Sequence, residues 1–230
     1  MADRAVTPGP PGAVPAAIFV GPSLRPPRPV IAGAVYLPPA ARGDVLAAVV
    51  RGARVIGLVD GVFHQDLAVT PAEIRAAAAA GARLFGGASM GALRAVDCPG
   101  AMTGVGEVYA RLAAGELADD DEVAVTFDPI TGELAAYPLV QIREAARSAA
   151  LTHPAAAAAL QGFVEAVRAL PFHDRTRDEL RRAAAATGID RAGISWPALV
   201  GCLDAPASDI KRRDALAVIA AVAASIVRSV

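Results

Sequence analysis

Short apolar runs alternate with stretches of helical period through the first part of the chain. Ala16-Ala17-Ile18-Phe19-Val20 is an unbroken apolar run that reads as a first strand, ending in Gly21-Pro22-Ser23-Leu24. Residues 30–37 add a short second strand, and 40–52 have helical character. Arg54-Val55-Ile56-Gly57-Leu58-Val59-Asp60-Gly61 is nearly continuous in apolar side chains and bounded by glycines, the pattern of a fully buried parallel strand. Thr70-Pro71-Ala72-Glu73 opens a helix, with Thr as N-cap, Pro at the first position and Glu at the third. Arg83-Leu84-Phe85-Gly86 then reads as another buried strand leading into helix-forming residues. Strand and helix alternate, with connections too long for hairpins, so parallel strands with right-handed crossovers are expected. Sites in such sheets form at the C-terminal strand ends. Three loops, 21–24, 60–65 and 87–91, are therefore expected to share one rim.

Downstream the period changes. Residues 104–115 read as a helix, and Asp119-Asp120-Asp121-Glu122 as a solvated loop, since consecutive acids rarely point at one metal ion. Residues 122–127 and 133–137 suggest two strands joined by Asp128-Pro129-Ile130-Thr131-Gly132, a small β-hairpin. From Leu139 the pattern is helical, over about 139–152, 154–170, 174–186 and 208–227, with a loop across 193–206. Residues 1–15, rich in Pro and Gly, are expected to be a disordered tail. The fold class is thus α/β: a mostly parallel central sheet with flanking helices, a small β-hairpin and a helical C-terminal portion. Residues 16–137 form the core on this reading, and 138–230 pack against it.

Composition narrows the functional classes. A 230-residue chain that is 54% hydrophobic suits one α/β domain with a helical appendage. Net charge of −1 gives no electrostatic case for nucleic acid or an anionic membrane. Cys98 and Cys202 lie far apart without metal-ligand spacing and read as packing residues. No secretory apolar segment occurs in residues 1–15, and the apolar stretch 215–227 is too short to cross a bilayer. A soluble, cytoplasmic protein without metal or cofactor is expected.

Candidate chemistry centres on Gly87-Ala88-Ser89-Met90-Gly91, which fits G-x-S-x-G, the nucleophile elbow. On a strand-to-helix turn the Ser89 hydroxyl would stand above a helix N-terminus whose free N–H groups favour an oxyanion. Any Gly-rich corner can match the pattern, so a plain tight turn remains the competing reading. Met90 N–H would be one oxyanion donor, and Ser23 or Leu24 N–H a second, since Pro22 has none. Two side chains are candidate bases. His64 should sit on the same sheet edge, oriented by Asp60 or Asp97. Lys211 is the only lysine among many arginines, and a position that stays Lys suits a group that must lose its proton. A helix capped by Ser208 or Asp209 would place it in a first turn, where the dipole, Arg212, Arg213 and burial all disfavour the ammonium. His153 and His173 have no evident partner and read as structural.

Several of these stretches together resemble the TfuA-like family. They are Ile18-Phe19-Val20-Gly21-Pro22-Ser23-Leu24, Gly57-Leu58-Val59-Asp60-Gly61-Val62-Phe63-His64-Gln65, Ser89-Met90-Gly91-Ala92-Leu93-Arg94-Ala95, Gly104-Val105-Gly106, Asp120-Asp121-Glu122 and Lys211-Arg212-Arg213-Asp214-Ala215. The resemblance implies a partner of a YcaO-type cyclodehydratase in peptide backbone thioamidation of a precursor peptide or protein. It further implies hydrolysis of the C-terminal thiocarboxylate of a ThiS-like sulfur carrier by a Ser–Lys pair, here Ser89 and Lys211. Gly21, Ser23, Asp60, Gly61, Gly87 and Arg94 are the accompanying candidates for oxyanion or substrate binding. Ala88 departs from the first of two serines found in many relatives, and Asp97 from a usual Glu. A non-catalytic adaptor that docks the carrier or the peptide onto the YcaO enzyme is the alternative.

Overall fold

The computed structural model describes residues 15–63, 67–128 and 134–228. Its strands are β1 (Ala16–Phe19), β2 (Ala34–Leu37), β3 (Val55–Leu58), β4 (Arg83–Gly86) and β5 (Thr103–Gly104). All pair in parallel in the order β2-β1-β3-β4-β5. The helices in chain order are α1 (Asp44–Val50), α2 (Pro71–Ala79), α3 (Met90–Asp97), α4 (Glu107–Ala113), α5 (Leu139–Thr152), α6 (Ala157–Arg168), α7 (Arg177–Thr187), α8 (Trp196–Asp204) and α9 (Ile210–Val227).

Both faces of β1 and β3 are covered, which is why their sequences are apolar without alternation. Phe19, Ile56 and Leu58 pack against Val45 and Ala48 of α1, Ile74 and Ala77 of α2, and Ala95 of α3. On the opposite face Ile18, Val20, Val55 and Val59 meet Ala215, Val218, Ile219 and Val222 of α9. The last helix of the chain therefore returns to the middle of the sheet. Helices α5 to α8 gather around a separate apolar cluster built on Leu139, Ile142, Leu160, Phe163, Leu180 and Leu199. A smaller cluster of Ala92, Val108, Val123, Val140 and Ile210 joins the two regions.

Strand order reverses between β1 and β3, because β2 lies outside β1 while the later strands continue beyond β3. That is a topological switch point, where loops on either side diverge and leave a crevice. The loop after β1 and Asp60 after β3 meet there.

Five local expectations are corrected. The hairpin shrinks to one antiparallel bridge between Phe127 and Leu134, with 129–133 outside the described residues. Its first strand, expected over 122–127, is absent: a 3-10 turn ends at Glu122, and 124–126 have no regular structure. The acids there are not simply solvated: Asp121 pairs with Arg175, and Glu122 with Arg143. The helix expected from 104 begins at Glu107, because Thr103 and Gly104 pair with Phe85 and Gly86 as β5. The loop expected at 193–206 contains α8, whose N-cap Ser195 accepts from Ala198 N–H and which carries Pro at its start. Finally, Thr70 caps α2 as expected, but the Glu73 carboxylate does not turn back to its own N-cap. It accepts instead from the N–H groups of Gly43, Val45 and Leu46 at the start of α1.

Candidate active site at the end of the fourth strand

The turn after β4 is tight because backbone passes backbone. A Cβ on Gly91 would lie 1.8 Å from the Leu58 carbonyl oxygen, and one on Gly87 2.4 Å from that of Val105. No side chain fits at either position. Ala88 carries the positive φ, +64°, and Ser89 N–H donates to Gly87 O at 2.8 Å across it. This is a γ-turn of the rarer hand, a conformation of stored backbone strain. The left-handed residue thus precedes the serine. Ser89 itself is the N-cap of α3, with φ −134° and ψ −122°, and its side chain makes no capping bond.

Its hydroxyl points elsewhere. Ser89 Oγ donates to the Val123 carbonyl oxygen at 3.4 Å, and Lys211 Nζ donates to the same oxygen at 2.6 Å. Two residues 122 positions apart in the chain are therefore brought to one acceptor, closer to each other than those two distances laid end to end. Ser89 is 1% exposed and Lys211 4%.

Lys211 owes its place to α9. Asp209 caps that helix by accepting from Arg212 N–H at 3.0 Å, which fixes Lys211 in the first turn. One turn on, Asp214 points inward as well, and its carboxylate accepts from Glu107 N–H at 2.9 Å and Val108 N–H at 2.7 Å. Gly106, φ +93°, must lack a side chain because a Cβ there would sit 2.3 Å from that carboxyl carbon. Asp214 thus locks α9 to the start of α4 and holds Lys211 in register. Asp214 carries no motif of its own in the sequence; its i+3 spacing from Lys211 on one helical face is the signal that finds it.

Burial pushes the Lys211 pKa below the ordinary 10.5, while the negative charges of Asp60 and Asp209 push the other way. An ammonium has three protons to place. Among the described residues Lys211 has one acceptor, Val123 O, and no ion-pair partner. A neutral amine suits that environment better: it donates to Val123 O and keeps a lone pair for the serine proton.

Asp60, 2% exposed, is held in the switch-point crevice by Gly21 N–H at 2.8 Å, Ser23 N–H at 3.1 Å and the Ser23 hydroxyl at 2.6 Å. These bonds remove the expected second oxyanion donor. Ser23 N–H is given to Asp60, and Leu24 N–H to Gly21 O at 3.2 Å. In α3 the N–H groups of Gly91 and Ala92 are also committed, to Val59 O and Ser89 O. Met90 N–H, at the first helical position, has no acceptor among the described residues and is a donor available to an oxyanion. Gly61 is small because a Cβ there would come 2.7 Å from the Met90 side chain.

His64 lies outside the described residues. Asp97 does not serve a base: it pairs with Arg94 within α3. Arg94 also donates to Val69 O and borders a cavity of about 850 Å³ that includes Phe63, Met90, Leu93 and Ala124. A second cavity, of about 810 Å³, is bordered by Ser23, Arg25, Val125, Tyr137, Gln141 and Lys211. No cluster of metal-ligating side chains occurs among the described residues.

A parallel α/β sheet with a serine on a strained strand-to-helix turn, and a buried lysine sharing its acceptor, defines the class of site. A protein-family model described as TfuA-like protein matches residues 60–176, half of the chain, and the protein belongs to the TfuA-like family. The matched span takes in Asp60, Ser89 and Arg94 and ends before Lys211. No curated protein matches the chain. No helix among the described residues is long and apolar enough to cross a membrane.

Proposed function

We propose that the protein is a hydrolase of protein C-terminal thiocarboxylates that delivers sulfide to a YcaO-type enzyme. The observation that carries this reading is the convergence of Ser89 Oγ and Lys211 Nζ on Val123 O, with the lysine buried and in no ion pair among the described residues.

Neutral Lys211 accepts the Ser89 hydroxyl proton as Oγ attacks the thiocarboxylate carbon. The oxyanion that forms meets Met90 N–H and the positive end of α3. Collapse breaks the C–S bond, and the proton held on Lys211 passes to the departing sulfur. The first half-reaction thus yields Ser89 acyl ester and hydrosulfide, with atoms and charge conserved. In the second half, Lys211 takes a proton from water, hydroxide adds to the ester, and Ser89 leaves with that proton, giving the carrier carboxylic acid, which releases its own proton to solvent as the carboxylate. Asp60 holds the switch-point loop in place and places a negative charge near Lys211. That charge limits how far burial depresses the lysine, which keeps a base strong enough to take the serine proton.

The direct test is sulfide release from a thiocarboxylated ThiS-like carrier, with native protein beside Ser89→Ala. Loss of release with carrier binding retained is the expected result. Equal release by both proteins would overturn the hydrolase and leave an adaptor that docks the carrier or the peptide onto its partner.

A further inference from the structure

We infer that residues 123–125 form an autoinhibitory strap over the Ser89–Lys211 pair, and that the helical region α5–α8 holds it shut. The effect on turnover rests on the Ser–Lys reading above; the closure itself does not.

The strap occupies the space the reaction needs. The Val123 carbonyl takes hydrogen bonds from both Ser89 Oγ and Lys211 Nζ. An acyl carbon has to come within about 3–3.5 Å of the nucleophile, and the serine proton has to turn from Val123 O toward Nζ. Neither happens while that carbonyl stays. Ser89 itself borders neither cavity. Ala124 borders the cavity on the Met90 side, and Val125 the one on the Lys211 side. The strap is therefore the wall between two spaces that together would give an extended tail room on both sides of the serine.

Its anchors lie in the helical region. Glu122, immediately before the strap and 2% exposed, is gripped bidentately by Arg143 of α5 at 2.8 to 3.1 Å. Asp121 is gripped by Arg175, which is fully buried and also donates to the Asp121 carbonyl at 2.8 Å. The Arg175 Nε is a buried donor with no acceptor among the described residues. On its other side the strap is tied at Thr126, whose carbonyl accepts from Ala135 N–H at 2.8 Å and Ala136 N–H at 3.4 Å, and by the Phe127–Leu134 bridge. Without Arg143, the Glu122 carboxylate would be buried and unpaired, and would move to water. Val123, the next residue, would be drawn with it. A protein partner that engages α5 or the Arg175 loop has the same lever.

The test reads exposure of position 89 apart from catalysis. The Ser89→Cys protein is treated with iodoacetamide, and alkylation is followed by peptide mapping, alone and combined with Arg143→Ala or the milder Glu122→Gln. Cys98, 1% exposed, is the internal control for global unfolding. The strap predicts slow alkylation at position 89 and at least a tenfold increase with either anchor variant, while Cys98 stays protected. Fast alkylation without an anchor variant would overturn it. So would no increase with either variant, or an increase equal at both thiols. In the Ser89 background the same anchor variants should raise kcat for sulfide release from the free carrier. Exposure that rises without any sulfide release would leave the strap standing and remove the hydrolase.

Discussion

The sheet region and the helical region solve the same electrostatic problem in different ways. Among the described residues five acidic side chains are buried: Asp60, Glu73 and Asp214 around the sheet, and Glu122 and Glu144 where α5 begins. The three around the sheet are held by backbone N–H groups, at the loop after β1, the start of α1 and the start of α4, and Asp60 takes the Ser23 hydroxyl as well. The other two are satisfied by guanidinium groups, those of Arg143 and Arg147. A carboxylate cradled by amides needs no cation. The sheet region can therefore bury a lysine beside Asp60 without fusing the two into an ion pair, and the lysine stays free to lose its proton. An arginine in its place would remain charged at any working pH. Arginine serves in the helical region because there the charge is wanted permanently, as a clamp.

The sharpest way to break this comparison is Lys211→Met, which keeps the volume and removes the base. Turnover should fall by about 10²–10⁴-fold, measured as kcat for sulfide release, with KM little changed. The same variant bears on stability. Lys211 has a folded pKa below 10.5, so the fold disfavours its charged form, and native stability rises as pH climbs through the folded pKa toward 10.5. Lys211→Met should therefore stabilise the protein at low pH. That gain should fade as the pH rises to 10.5, as urea unfolding at several pH values would show.

Next in size is Asp214→Ala. It removes two charge-assisted bonds at the start of α4 and should cost about 2 kcal/mol in unfolding free energy. Turnover should fall as well, because Lys211 loses its register; circular dichroism melts and kcat report the two effects separately. Acid titration sharpens the contrast between amide cradle and arginine clamp. Burial raises the Asp214 pKa above 3.8, so its contribution to stability is lost as pH rises through the folded value. The Arg147 guanidinium lowers that of Glu144 below 4.5, so its contribution is lost as pH falls through the folded value. The stability differences of Asp214→Asn and Glu144→Gln from the native chain should therefore change with pH in opposite directions. The smallest effect belongs to the exposed Arg177–Asp204 pair. Asp204→Ala should change stability by less than about 1 kcal/mol and leave the Ser89–Lys211 geometry intact.

Much of this was legible in residue order because the signals are local. Unbroken apolar runs mark β1, β3 and β4, and Thr70-Pro71 and the G-x-S-x-G turn mark the starts of α2 and α3. The lone lysine was legible for a chemical reason: in a chain whose other long cations are arginines, lysine can shed its proton and arginine cannot. What escaped notice depends on long-range partners. The strand expected at 122–127 is lost because Asp121 and Glu122 bond to arginines 54 and 21 residues away. Glu73 has the right spacing for a capping box, yet a neighbouring helix competes for its carboxylate and wins. The Val123 carbonyl that gathers the pair is backbone, which carries no residue signature.

Lys211 is the single lysine of the chain, so its titration beside Ser89 is directly observable. Lysine labelled with ¹³C at Cε would give one side-chain resonance to follow through a pH titration. A midpoint clearly below 10.5, perturbed by Ser89→Ala, is the predicted result. A midpoint at or above 10.5, indifferent to Ser89→Ala, would mean a permanently charged lysine and would contradict the Ser–Lys account.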